Sequence, residues 1–286
     1  MSEKSIETLV DDIYGLFSGH ECDPANVDQF AASLSRIVSE RLAEHRGDGP
    51  RTLRMSNLGK PDRQLWYDIN DPGDAEELSP STRIKFLFGD ILEALLLFLA
   101  REAGHQVTHE QQEVELDGIV GHTDAVIDDV AVDVKSASTY AFGKFKSGTL
   151  RENDPFGYME QLASYATSLG GREGAFLAID KTLGNLTLMR VPAEELQALD
   201  IRGRIEHIKE VIASDRMPDR CYPEEEHGKS GNMKLGVNCS YCPHKFKCWA
   251  DANDGEGLRS FIYANGPVYL TKVTNEPKVF ENFPRK

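Results

Sequence analysis

The sequence predicts an α/β fold, and three observations carry that expectation. An apolar helical stretch bearing Glu93 precedes two strand-like segments, one holding Asp124 and the next holding Asp133-Val134-Lys135, and a second helical stretch follows at 156–169. The segments Ile119 to Ile127 and Val130 to Ser138 are rich in Val and Ile and flank a polar Asp128-Asp129 pair, the pattern of a β-hairpin. Elsewhere apolar residues recur at helical rather than alternating spacing.

Taken in order, Ile6, Leu9, Val10, Ile13 and Phe17 mark a helix over 5–18. Val27, Phe30, Leu34, Ile37 and Leu42 mark a second over 24–46, ended by Gly-Asp-Gly-Pro at 47–50. These two helices are expected to form an N-terminal appendage over 1–50. The segment RQLWYDI (63–69) leads through a polar, proline-containing stretch to a helix over about 82–103. The hairpin comes next, followed by a looser section from Phe142 to Pro155 and a helix over 156–169. The arms AFLAID and LTLMRV around Leu183-Gly184-Asn185 form a second hairpin, and 193–214 reads as helical. A core is thereby bounded at 51–215, a cysteine-rich segment at 216–256, and a tail at 257–286 that is expected to run extended along the surface.

The bulk numbers narrow the class. With 286 residues, 40% hydrophobic and 28% charged, the chain suits a soluble globular protein with a real core. The most apolar run, ILEALLLFLA at 91–100, falls far short of the roughly 20 residues a bilayer span needs and carries Glu93, so no membrane partner is expected. The N-terminus is acidic and amphipathic with no cleavage pattern, which argues against a signal peptide and for a cytoplasmic protein. Four of the five cysteines fall between 221 and 248, so metal ligation is expected rather than disulfides. A net charge of -15 excludes a generally basic nucleic-acid coat protein, but not an enzyme that reaches nucleic acid through a local basic channel.

The first hairpin concentrates chemistry. Centred on Asp128-Asp129, it sets Asp124 opposite Asp133 and His122 opposite Lys135. Side chains two apart on a strand share a face, so Asp133 and Lys135 point the same way as Asp124. Like charges directly opposed on a sheet are unfavourable, and a divalent cation between them removes that penalty. Glu93 has Phe86, Gly89, Asp90, Leu96, Leu97 and Ala100 as helical neighbours, and a carboxylate on so largely apolar a face needs a partner or a cation.

In these residues the chain resembles the PD-(D/E)xK nuclease superfamily, and within it the RecB-like exonucleases, over roughly Leu53 to Trp249. The GxxD motif corresponds to Gly121-His122-Thr123-Asp124, the (D/E)xK motif to Asp133-Val134-Lys135, and the QxxxY motif to Gln161 through Tyr165. Gly89 through Glu93 corresponds to the helix that delivers a further acidic ligand. The resemblance implies a mixed sheet flanked by helices and metal-assisted phosphodiester hydrolysis of DNA. Glu93, Asp124, Asp133 and the Val134 carbonyl would hold Mg²⁺ or Mn²⁺. Lys135 would orient the attacking water, and Gln161 and Tyr165 would position the site and the nucleic-acid backbone. His122, facing Lys135, is a weaker candidate for support behind the ligands.

Cys239, Cys242 and Cys248, in CSYCPHKFKC, have the spacing of the [4Fe-4S] segment of RecB-like nucleases. Those proteins take a fourth cysteine from ahead of the nuclease core. Pro61 stands there in this chain, and Cys221 is the natural replacement. Four thiolates also suit a closed structural Zn²⁺ site, so the sequence leaves both open. Cys22 sits apart and is expected to be a free thiol.

The sequence therefore points to a metal-dependent DNA exonuclease of the kind used in phage recombination, repair or DNA degradation, with a second copy of the chain or a recombination protein as the expected protein partner. A structure-specific endonuclease on the same core and a degenerate DNA-binding or assembly module are the alternatives.

Overall fold

The structure, a computed structural model, describes residues 4–43, 52–73 and 75–282. The end of the second expected helix and its Gly-Asp-Gly-Pro terminator lie outside the described residues. The chain divides into two compact units, one of 1–59 and 78–207 and one of 60–77 and 208–286. This division departs from the boundaries read from sequence: the segment at 60–77 falls with the cysteine-rich region and the tail, not with the rest of the core expected over 51–215.

The first unit begins with α1 (Leu9–Leu16) and α2 (Pro24–Ala43). After α3 (Asp62–Asn70), which belongs to the second unit, come α4 (Pro80–Glu102), β1 (Val107–Thr108), β2 (Glu113–Leu116), β3 (Ile119–His122), β4 (Ala125–Ile127) and β5 (Val130–Ala137). Then follow α5 (Thr139–Ser147), α6 (Tyr158–Ser168), β6 (Gly174–Asp180), β7 (Leu186–Val191), α7 (Ala193–Gln197) and α8 (Ile201–Ala213), along which the chain passes to the second unit. A five-stranded sheet runs in the order β1-β4-β5-β6-β7. Only β5 and β6 pair in parallel, so the sheet is mixed.

Helices cover both faces of that sheet. Val130, Val132 and Val134 of β5, with Ala175, Leu177 and Ile179 of β6, pack against Leu96, Leu97 and Ala100 of α4 and against Ile6, Leu9 and Ile13. On the other face Ala131, Ala137, Phe176 and Ala178 pack against α5 and α6 through Phe142, Phe145, Leu162 and Ala163. The alternation along β5 thus follows the period of two of a strand buried on both sides. Since α1 is buried in this core, the N-terminal helices are not a detachable appendage. In α2, Phe30 stacks on Phe98 of α4 with ring centroids 4.9 Å apart.

Local chemistry explains the elements that set the site. Ser79 caps α4 by accepting the Thr82 N–H at 3.2 Å, and Pro80 occupies the first turn, where its missing N–H is harmless. The β4–β5 hairpin has the expected register, with Ala125 opposite Val132 and Ile127 opposite Val130. Asp128 and Asp129 both lie in the left-handed region, at φ 48° and 67°, as a two-residue primed turn requires. Asp128 is held there by the Gln106 N–H at 3.0 Å and by His105 Nδ1 at 2.6 Å.

Three expectations need correction. The upstream arm of the hairpin is split: only 125–127 pairs with β5, while β3 pairs with β2 in a separate two-stranded sheet. The section from Phe142 to Pro155 is not loose, because Ser138 accepts the Ala141 N–H at 3.3 Å to start α5, which Gly148 ends at φ 75°. The helix expected over 193–214 is broken between α7 and α8, with Asp200 at φ 43°.

The second unit holds α3, β8 (Glu225–Glu226), β9 (Met233–Lys234), α9 (Val237–Tyr241), α10 (Lys245–Cys248), β10 (Arg259–Tyr263) and β11 (Gly266–Lys272). Its antiparallel sheet runs β10-β11-β9-β8 over a core of Leu235, Trp249, Ala252, Leu258 and Tyr269. The C-terminal tail is therefore a hairpin integral to this unit rather than a surface strap. Only its end keeps the expected extended course, where the Asn282 N–H donates to Ser260 O at 2.8 Å alongside β10. Among the described residues no helix is long and apolar enough to cross a membrane.

Candidate functional site

The expected acidic cluster assembles where β4 stops. Because β4 is three residues long and β5 eight, the chain leaves the ladder at Asp124 while β5 continues past it. The Asp124 carboxylate takes over from the lost strand, accepting the Val134 N–H through Oδ2 at 2.7 Å. In an extended strand the N–H and C=O of one residue point to the same side. The Val134 carbonyl is thus directed to the side occupied by Asp124.

Asp133 is 0% exposed, and its Oδ1 has no hydrogen-bond partner. The Lys135 ammonium stands 2.6 Å from Oδ2. Glu93 reaches the cluster from α4 and receives the Gln111 side-chain N–H at 2.5 Å. Gly89, one turn earlier, faces β5: a Cβ there would meet Ser136 Oγ at 3.5 Å, an ordinary contact.

Three carboxylates against one ammonium leave excess negative charge in a buried place. Burial drives Asp124 well above the ordinary carboxylate range, and the charges of Glu93 and Asp133 add to that. Burial also raises Asp133, with Lys135 opposing and Asp154 reinforcing. Glu93 is pushed up to about 7 by burial, against the pull of its Gln111 bond and with help from Asp133 and Asp90. For Lys135, burial alone would favour the neutral amine, but Asp133 and Asp124 outweigh it and hold the ammonium charged. The cluster relieves its excess charge either by keeping protons or by taking a cation. Asp133, with a buried unpartnered Oδ1 among hard oxygen donors, fits a Mg²⁺ or Mn²⁺ ligand.

Gln161 and Tyr165 lie on α6, which packs against the face carrying Asp133 and Lys135. The Gln161 Nε2 donates to Tyr165 OH at 3.3 Å. Tyr165 is buried, and burial together with the nearby Asp133 charge raises its hydroxyl above the usual range. His122 does not join the group. Because β3 pairs with β2, His122 lies opposite Glu113, with its ring 3.8 Å from that carboxylate and half exposed.

Two participants were missed from sequence. Gln111, which holds Glu93, sits in a polar loop at φ 47° and left no local signal. Tyr158, whose ring lies 4.7 Å from Lys135 Nζ, was detectable: it precedes Gln161 by three residues and Tyr165 by seven on one helix, and so shares their face. Asp154 fixes the start of α6 by accepting the Met159 N–H at 2.7 Å.

The second unit gathers the four cysteines. Cys221, Cys239, Cys242 and Cys248 line one cavity together with Pro61, Arg63 and Gln64. The N–H groups of Arg63 and Gln64, in the first turn of α3, donate to the Cys221 sulfur, whose thiol burial nonetheless raises. Burial lifts Cys239 to about 11, the other three thiols adding to it and the Trp249 N–H opposing. Cys242 is likewise lifted by burial to about 11, while the His244 N–H opposes. Four mutually sensed sulfurs, several facing N–H donors, are a donor set that fits an iron–sulfur cluster or a zinc ion. Around them, His244 Nε2 meets Asp68 at 2.7 Å, and Arg220 lies over the Trp249 ring at 4.1 Å. Trp66 and Tyr67 are used internally: Trp66 donates to Ser214 O at 3.0 Å and Tyr67 is buried against His244.

No protein-family model matches this chain, and no curated protein matches it. Among solved structures, it is similar to a phage related exonuclease from Haemophilus somnus 129PT, at 13% identity over 60% of this chain and 96% of that one, with a TM-score of 0.42. It is also similar to an alkaline exonuclease from Laribacter hongkongensis, at 17% identity over 55% of this chain and 90% of that one, with a TM-score of 0.37. The same alkaline exonuclease in complex with dAMP aligns at 16% identity over 55% and 92%, with a TM-score of 0.36.

Proposed function

We propose that the first unit is a metal-dependent deoxyribonuclease of the PD-(D/E)xK, RecB-like kind, acting as an exonuclease. The observation that carries this reading is Asp133: a fully buried carboxylate that is paired with the Lys135 ammonium through Oδ2, has no partner on Oδ1, and is grouped with Asp124 and Glu93. Such a group is unfavourable as a purely structural feature and suited to a divalent cation.

Glu93, Asp124, Asp133 and the Val134 carbonyl would hold Mg²⁺ or Mn²⁺. When bound, such an ion polarises a phosphoryl oxygen and makes water a better nucleophile at neutral pH. The protein's own groups do the rest. Lys135, kept charged by Asp133 and Asp124, donates hydrogen bonds to the attacking water and to the negative charge that develops on the phosphate. Tyr158 covers the ammonium and limits its travel. Tyr165 and Gln161, bonded to each other, fix the wall behind Asp133 and orient the DNA backbone.

For the second unit we propose that Cys221, Cys239, Cys242 and Cys248 hold a [4Fe-4S] cluster. Cys221, against the first turn of α3, supplies from downstream the ligand whose upstream place is taken by Pro61. Brown colour with broad visible absorption supports this assignment. A colourless protein with stoichiometric zinc on the same cysteines replaces it.

The nuclease reading is tested with end-labelled linear and covalently closed circular DNA, in Mn²⁺ or in EDTA, with Asp133→Ala alongside. Degradation of linear DNA alone, lost in EDTA and in the variant, is the expected result. Cutting of closed circles would show an endonuclease, and binding without cutting would show a DNA-binding module.

A further inference from the structure

Between α1 and α2 the chain places two donors that the proposed nuclease centre does not use. His20 and Cys22 lie in the connecting loop, and both approach Glu102, the last residue of α4. An imidazole nitrogen, the Cys22 sulfur and a Glu102 oxygen all lie within 4.8 Å of one another. A tetrahedral ion with bonds of about 2.0 Å to nitrogen or oxygen and about 2.3 Å to sulfur spaces its ligands about 3.3–3.8 Å apart, so small side-chain adjustments close such a site.

Glu102 is the anchor. Its side chain is 2% exposed although it sits at the C-terminal end of a 23-residue helix, where the helix dipole disfavours an anion. The site therefore calls for positive charge. Arg101 does not provide it to Glu102, because it pairs with Glu110. What Glu102 has instead is His20 Nε2 at 2.6 Å from Oε2, the Asp23 N–H at 3.2 Å on the same oxygen, and the Asn26 side-chain N–H at 2.7 Å on Oε1. Two of these donors, Asp23 and Asn26, remain when a cation replaces the His20 hydrogen bond. They would then orient the carboxylate, as partners behind a metal ligand do.

We propose that His20, Cys22 and Glu102 form a binding site for a borderline divalent transition-metal ion, Zn²⁺ above all, with water completing the coordination. One nitrogen, one sulfur and one carboxylate oxygen select such an ion over Mg²⁺ or Ca²⁺, which prefer oxygen alone. Binding takes place through the Cys22 thiolate, the thiol proton passing to solvent. The ion would tie the α1–α2 connection to the end of α4. This site is separate from the acidic cluster and from the four cysteines, and it stands whether or not the chain cleaves DNA. It also revises the sequence expectation that Cys22 is merely a free thiol.

The full-length chain would be titrated with Zn²⁺ by calorimetry and with Co²⁺ as an optical probe, in parallel with Cys22→Ser and His20→Ala. Cys22 is exposed, so its replacement leaves the fold intact, which circular dichroism checks. Any uptake at the four-cysteine centre is common to all three proteins. The expected result is that each variant binds one Zn²⁺ equivalent fewer than the parent chain, and that Cys22→Ser loses part of the thiolate-to-cobalt charge-transfer absorption. Equal stoichiometry and identical cobalt spectra in parent and variants would overturn the proposal and leave the three residues as a hydrogen-bonded clamp. DNA cleavage, followed separately, reports on the nuclease reading and does not bear on this one.

Discussion

Gly121 lies directly against the ring of Tyr165: a Cβ at position 121 would stand 2.8 Å from Tyr165 Cε1 and as close to the Met55 side chain. The glycine of the GxxD segment and the tyrosine of the QxxxY segment, distant in sequence, are therefore two sides of one contact. Glycine is needed there because β3 must pass the α6 helix at a distance that no side chain fits. The same contact seats the tyrosine beside Asp133.

Gly121→Ala is accordingly expected to destabilise the protein by about 1–3 kcal/mol, the range for an overpacked core site. Urea denaturation measures the loss. Because the added methyl group collides with the Met55 sulfur as well, and Met55→Ala removes that atom while keeping Cβ, Gly121→Ala combined with Met55→Ala should cost less than the two single changes summed, by about 0.5–3 kcal/mol. Strict additivity would show that the Met55 sulfur is not the obstacle.

The acidic cluster predicts a stability response to metal. A cation that binds only the folded chain stabilises it by mass action, about 2.7 kcal/mol at a hundredfold excess over Kd. Adding Mn²⁺ to chelator-treated protein should therefore raise the unfolding temperature. Asp133→Asn removes the buried carboxylate at the centre of the cluster and should abolish most of that rise. An unchanged rise in Asp133→Asn would place the bound ion elsewhere in the chain.

How far the sequence could be read depended on whether partners were local. The β4–β5 register followed from a two-residue turn whose left-handed backbone Asp128 and Asp129 tolerate better than bulkier residues would. The departure of β3 was not readable, because Ile119–His122 has the same composition whether it continues the hairpin or turns back on β2. With it went the placement of His122. The four cysteines were readable from spacing, but their seat on the first turn of α3 was not, because 60–77 and 208–286 join only in space. The C-terminal hairpin left a signal that was passed over: Asn265-Gly266 stands between two short apolar-rich strands.

Glu93 sets a pH dependence. In the metal-free fold its carboxyl is raised to about 7, whereas in the unfolded chain it has an ordinary carboxylate value, so between the two the folded state holds the extra proton. Stability from this group is complete at acid pH and is lost as pH rises toward about 7. Metal binding runs the opposite way, because the ion competes with that proton. Mn²⁺ affinity should fall by up to about tenfold per pH unit below neutrality. Calorimetry at pH 6 and pH 8 checks the slope. Glu93→Gln should flatten it, and a slope unchanged in that variant would assign the proton to Asp124 or Asp133.

Cys221 offers the sharpest separation of the two units. Its sulfur receives the Arg63 and Gln64 N–H groups in the first turn of α3, while the other three cysteines come from a single short segment. If the four hold one cluster, Cys221→Ala leaves three ligands and exposes the inorganic core to solvent and oxidation. The visible absorption should then decay within a preparation that keeps Mn²⁺ binding in the first unit. Unfolding should also become less cooperative, with limited proteolysis entering between 208 and 286 first, because the small core around Leu235, Trp249 and Tyr269 loses its inorganic staple. A variant that keeps its full absorption and protease resistance would mean that Cys221 is not a ligand, and that the fourth position belongs to another group of that unit.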